Sequence, residues 1–104
     1  MEIQIKNLSG TSDKTCTCGT WLDHWVKISG KPLPNYCSIS MCYQKPEVGA
    51  HVKKADLLNF STYIVPMCKA CNAKTEVLTL KDSDLLVSAN VAETCGKQKP
   101  LLRR

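Results

Sequence analysis

Apolar and polar residues alternate in "EIQIKNL" at residues 2–8, the period of a short strand or an ordered arm. The period changes at "TWLDHWVKIS", where Trp21, Trp25 and Ile28 fall at i, i+4 and i+7. Leu22 and Val26 extend the same apolar side, so this stretch predicts an amphipathic helix of about 10 residues. "GKPLPN" at 30–35 stops it with a glycine and two prolines. "VGAHVKK" at 48–54 reads as a strand, in which Gly49 allows a close backbone approach. "ADLLNFS" connects it, with some helical pattern, to the β-branched "TYIVP", a short strand or extended entry. "MCKACNAKTEVL" turns into a helix, and "LLVSANV" at 85–91 is a last strand. "SGTSDK" is a loop and "KQKPLLRR" a tail with no visible anchor. No internal repeat or second domain interrupts the pattern, so residues 1–104 read as one domain.

That domain is short of core material. Its 104 residues include two Trp, three Tyr and one Phe, and a chain of this size usually needs covalent or metal reinforcement. Seven cysteines are available for it. There is no apolar run long enough for a transmembrane helix. "MEIQIKNLSG" lacks the basic start, long apolar middle and cleavage site of a signal peptide. These features point to a cytoplasmic protein with no membrane partner. Disulfides are disfavoured in that compartment, so clustered cysteines read first as metal ligands.

Two pairs carry that reading: Cys37-x4-Cys42 and Cys68-x2-Cys71, about 25 residues apart. Zinc takes four tetrahedral ligands in structural sites, and each short spacing lets two thiolates face one ion. Two disulfides, or inert buried thiols, are the competing readings. Cys16, Cys18 and Cys95 remain. With one histidine they would complete a second zinc site, and seven cysteines plus one histidine make two full sets. His51, on a central strand, is favoured as that ligand over His24, which follows Cys18 inside the expected helix. Exposed Cys16 and Cys18 with a buried Cys95 is the alternative.

The order of parts is a knuckle, a strand pair, then a helix opening with the second cysteine pair. This is the treble-clef arrangement. On "CSISMC", "VGAHV" and "YIVPMCKACNAK", the stretch 37–75 resembles the zinc-stabilised HNH endonuclease, or ββα-metal, family. The resemblance implies a small α+β zinc domain with His51 at the general-base position. Asn72 stands at the last position of the signature and Lys74 nearby. Where active members often carry an acidic residue and a middle Asn, this chain has Ala50 and Tyr63; Asn59 lies out of register. The signature is therefore degenerate, and a hard catalytic ion would have few ligands.

Three functions follow from that resemblance and from the charge. The first is a module that binds DNA or RNA, with weak or no cleavage. The second is a protein-interaction module, such as a small phage or mobile-element inhibitor of a host nuclease or defence complex. The third is an active metal-dependent endonuclease that uses His51 and Asn72. The net charge of +5 permits a nucleic-acid partner and equally suits a plain soluble surface. Lys53, Lys54, Lys69 and Lys74 are candidate phosphate contacts or ordinary solvated lysines. Trp21 and Trp25 are core residues by default, or base-stacking platforms.

Overall fold

The computed structural model describes residues 1–8, 19–56, 58 and 60–90. It is a small α+β fold in which five antiparallel strands form one sheet. The strands are β1 (Ile3–Asn7), β2 (Val48–Lys54), β3 (Thr62–Met67), β4 (Leu78–Leu80) and β5 (Val87–Ser88). Their order across the sheet is β4-β1-β2-β3-β5. Two helices complete it, α1 (Trp21–Ser29) and α2 (Lys69–Asn72). Among the described residues no helix is long and apolar enough to cross a membrane.

The sheet is covered on both faces, and strand alternation sets what each face holds. Register pairs Ala50 with Val65 and Val52 with Tyr63, and successive side chains point to opposite faces. One face carries Ile5, Ala50, Val52, Val65, Met67, Leu78 and Leu80, packed with Cys37, Cys68 and Cys71. The other face carries Ile64 and Val87 against Trp25, with Trp21 and Ile28 packed around them. The cysteines and α1 therefore lie on opposite sides of one sheet.

Helix α1 forms where its spacing predicts it. Thr20 caps the N-terminus in a capping box: its side chain accepts from the Asp23 amide, and the Asp23 carboxylate accepts from the Thr20 amide. Gly30 closes the other end at φ 70°, a left-handed conformation that favours glycine. The stripe facing the sheet runs through buried His24 and Trp25 and half-buried Trp21 and Ile28. Val26, expected on the apolar side, is 38% exposed. It lies on the flank of a stripe centred on His24 and Trp25, which take its place against the sheet.

Three further expectations need correction. The helix expected to begin at the second cysteine pair and run on is one turn, Lys69–Asn72. In place of its continuation, Leu78–Leu80 forms β4, because Leu78 and Leu80 pair with Ile5 and Ile3 and bury their side chains. The last strand is Val87–Ser88, shorter than 85–91, and a 3₁₀ turn at Ser83–Leu85 precedes it. The described part of 55–61 contains no helix.

Candidate metal centre

Cys37 and Cys42 sit on a tight turn ahead of β2. The turn closes with Cys42 N–H donating to the Ile39 carbonyl at 3.1 Å. Met41 takes a positive φ of 66° there. The turn is tied down on both sides: Ser38 N–H donates to the Pro66 carbonyl at 3.0 Å and Ser40 N–H to the Thr79 carbonyl at 2.8 Å. Cys68 ends the run from β3 as the N-cap of α2, and Cys71 lies within that turn. The hairpin β2–β3 thus carries the second pair back onto the first.

The four sulphurs converge. All lie within 4.8 Å of one another. Cys42 Sγ is 3.8 Å from Cys68 Sγ and 3.8 Å from Cys71 Sγ. A tetrahedron of thiolates with zinc–sulphur bonds of about 2.3 Å has edges of about 3.8 Å. The separations therefore match a shared ion and are far longer than the roughly 2.05 Å of a disulfide. All four are free thiols. An all-thiolate tetrahedral set suits zinc, while hard ions such as magnesium prefer oxygen.

Backbone amides are already aimed at the sulphurs. Cys68 N–H donates to Cys37 Sγ at 3.3 Å and Cys71 N–H to Cys68 Sγ at 3.4 Å. The Gln44 amide holds the Cys42 thiol below its ordinary range, since it favours the thiolate. Burial acts the other way and pushes the Cys37 and Cys71 thiols up. A divalent cation held by Cys37, Cys42, Cys68 and Cys71 would offset that penalty and favour their thiolates. Cys42 is the only one of the four that is not fully buried, so it marks the entry side.

Two supporting side chains carry no signal in the sequence. Asn7 on β1 donates from Nδ2 to the carbonyls of Cys71 at 2.9 Å and Lys74 at 3.0 Å, fixing the end of α2. Glu47 Oε1 accepts from the Lys69 amide at 3.0 Å and fixes its beginning. Their partners lie 64 and 22 residues away in the chain, beyond the reach of any local pattern.

The remaining candidates lie elsewhere. His51 is 6% exposed, with its ring edge-to-face on Trp21 at a centroid distance of 4.5 Å. It alternates with Ala50 and Val52, so it faces α1 and not the thiols. Helix α2, which carries Asn72, is on the thiol side of the sheet. His24 is fully buried; its ring is 5.0 Å from Trp21, and its Nε2 is 2.9 Å from the Ser88 carbonyl oxygen. A carbonyl only accepts, so Nε2 carries the proton in that pair. Trp25 is 1% exposed and donates to the Leu85 carbonyl at 2.8 Å, so it is core and no platform for bases. Lys69 and Lys74 are exposed, Lys53 and Lys54 half-buried. Cys16, Cys18, Cys95 and Asn59 lie outside the described residues. Comparison with protein-family models, curated proteins and solved structures finds no match to this chain.

Proposed function

We propose that this chain is a zinc-stabilised, HNH-like module that binds nucleic acid without cleaving it. The observation that carries the zinc is the set of four sulphurs within 4.8 Å. The order of cysteine turn, hairpin and helical turn supports the treble-clef resemblance. Burial of His51 beneath Trp21, and of Ala50 where a carboxylate would stand, favours binding over catalysis. Nucleic acid is favoured by charge. The one ion pair among the described residues joins the amino terminus to Asp82, so no described lysine is held in direct contact with a carboxylate. Lys6 stands directly opposite Lys53 across β1 and β2, a like-charge pair that costs stability unless an anion offsets it.

The test has three arms. Purified chain should hold zinc that Cys68→Ser releases. Affinity for DNA or RNA should fall steeply with salt, as counterion release requires. Plasmid should stay intact with Mg²⁺ or Mn²⁺. Nicking that His51→Ala abolishes while the fold survives would establish the endonuclease instead. Absent or salt-insensitive binding would favour a protein partner, a reading to which Leu58 and Phe60 lend support at 87% and 84% exposed beside the β2–β3 turn.

A second zinc on Cys16, Cys18, Cys95 and one histidine extends the same reading. His51 remains the favoured fourth ligand and His24 the alternative, which gains support because its Nε2 N–H is held by the Ser88 carbonyl, a pattern metal-bound histidines share. Two zinc ions per native chain, falling to one in Cys95→Ser, would support this site. One ion per native chain would remove it.

A further inference from the structure

The two tyrosines that flank the first cysteine pair, Tyr36 before Cys37 and Tyr43 after Cys42, meet in space. Their rings lie edge-to-face, 5.8 Å between centroids and 86° apart. Both are open to solvent, at 51% and 66% exposure. Lys81, just past β4, brings its ammonium over both, 5.7 Å from the Tyr36 centroid and 5.8 Å from that of Tyr43. It is anchored by donating to the Cys42 carbonyl at 3.3 Å, and no carboxylate pairs with it among the described residues. Beside Tyr36 opens a groove of about 280 Å³, lined by Pro34, Asn35, Tyr36, Ser38, Lys81 and Leu85. Ser38 is 1% exposed, and its hydroxyl has no hydrogen-bond partner among the described residues. Two of its lining residues are tied together, since Lys81 N–H donates to the Ser38 carbonyl at 2.9 Å.

We propose that Tyr36, Tyr43 and Lys81 form a binding site for single-stranded nucleic acid, with the zinc ion setting the spacing of the two rings. Bases stack on the open tyrosine faces, a contact available to every base and only when it is unpaired. Lys81 meets an adjoining phosphate. The groove beside Tyr36 joins the apolar Pro34, Tyr36 and Leu85 to the polar Asn35, Ser38 and Lys81, a mix that suits a base turned inward. The charge selects the ligand: an exposed aromatic pair with an unneutralised cation attracts a polyanion that carries ring systems. This site rests on the nucleic-acid reading above and gives it a place and a strand preference.

Fluorescence anisotropy of the zinc-loaded full chain tests it, with labelled oligothymidylate of about 12 nucleotides at low salt. Replacing both tyrosines by Ala should weaken binding at least about tenfold, given the worth of stacking per base. The Tyr36→Phe/Tyr43→Phe pair should retain it. Lys81→Gln should reduce the slope of log affinity against log salt by about 0.7. Zinc content and circular dichroism of each variant check the fold. If the alanine pair does not fold, Lys81→Gln still decides: an unchanged salt slope in that folded variant would overturn the site. Should the parent bind and the folded alanine pair bind equally well, this site falls and the nucleic-acid reading stands. Should the parent bind duplex DNA but not this oligonucleotide, the site falls and the nucleic-acid reading stands; should it bind neither, or only an acidic peptide, both fall.

Discussion

Asn7 connects the first strand to the metal centre with one side chain. It supplies both N–H groups of its amide to the carbonyls of Cys71 and Lys74, adding a second donor to the Cys71 carbonyl that the Lys74 amide already meets. Asn7→Ala should lower unfolding stability by about 1–3 kcal/mol, the worth of two hydrogen bonds at about 0.5–1.5 kcal/mol each. It should also speed zinc transfer to a chromogenic chelator. Asn7→Asp is the same size but has no N–H to give, so it should fail to rescue either property. Asp82 makes a pH-dependent contribution. Its carboxyl is held below the ordinary range, first by the Asp84 amide at 3.0 Å and then by the chain's amino group. A depressed folded value means its stabilisation is present above the ordinary carboxylate pKa and is lost as pH falls through the folded one. The stability gap between parent and Asp82→Asn should therefore be widest at neutral pH and close in acid, as denaturant midpoints across pH would show. The cysteine pairs were legible at this scale because each pairing is local. Asn7 and Lys81 were not, because the atoms they serve lie 64 and 39 residues away.

Among the elements, β2 and α1 are pressed unusually close, and Gly49 is the reason. A Cβ at that position would stand 2.5 Å from the Trp21 carbonyl carbon and 2.7 Å from the Leu22 nitrogen, both backbone atoms. A flexible side chain could swing away; a helix backbone cannot without leaving the sheet. Gly49→Ala should destabilise the chain by about 1–3 kcal/mol through overpacking, measured as a lower midpoint in denaturant. A variant as stable as the parent would mean that α1 is not seated as described. The strand pattern at 48–54 and the i, i+4, i+7 pattern at 21–28 made these two elements legible, since both are local periodicities. Nothing local said that α1 would cover the very strand that carries His51, which is why that histidine read as a base or a ligand. Strand β4 was missed for another reason. Three residues, "LTL", are too few to show a period, and they follow a run with helical character.

For the whole molecule, the metal is expected to be part of the fold. Two hydrophobic clusters share one thin sheet, and one of them is built around the cysteines. Withdrawing zinc with a strong chelator should collapse far-UV circular dichroism, and adding zinc back should restore it. A chelated chain that keeps its spectrum would place the stability in the apolar packing alone. The two clusters also give the molecule separate optical reporters. Both tryptophans belong to α1, so intrinsic fluorescence watches one side of the sheet. Cobalt bound in place of zinc would colour the other side through its thiolate charge-transfer bands. Because β2 lends alternate residues to each side, the two signals should trace one superimposable unfolding curve. Cobalt colour that fades before the fluorescence moves would instead mark the sheet as an insulating wall between two halves that melt separately.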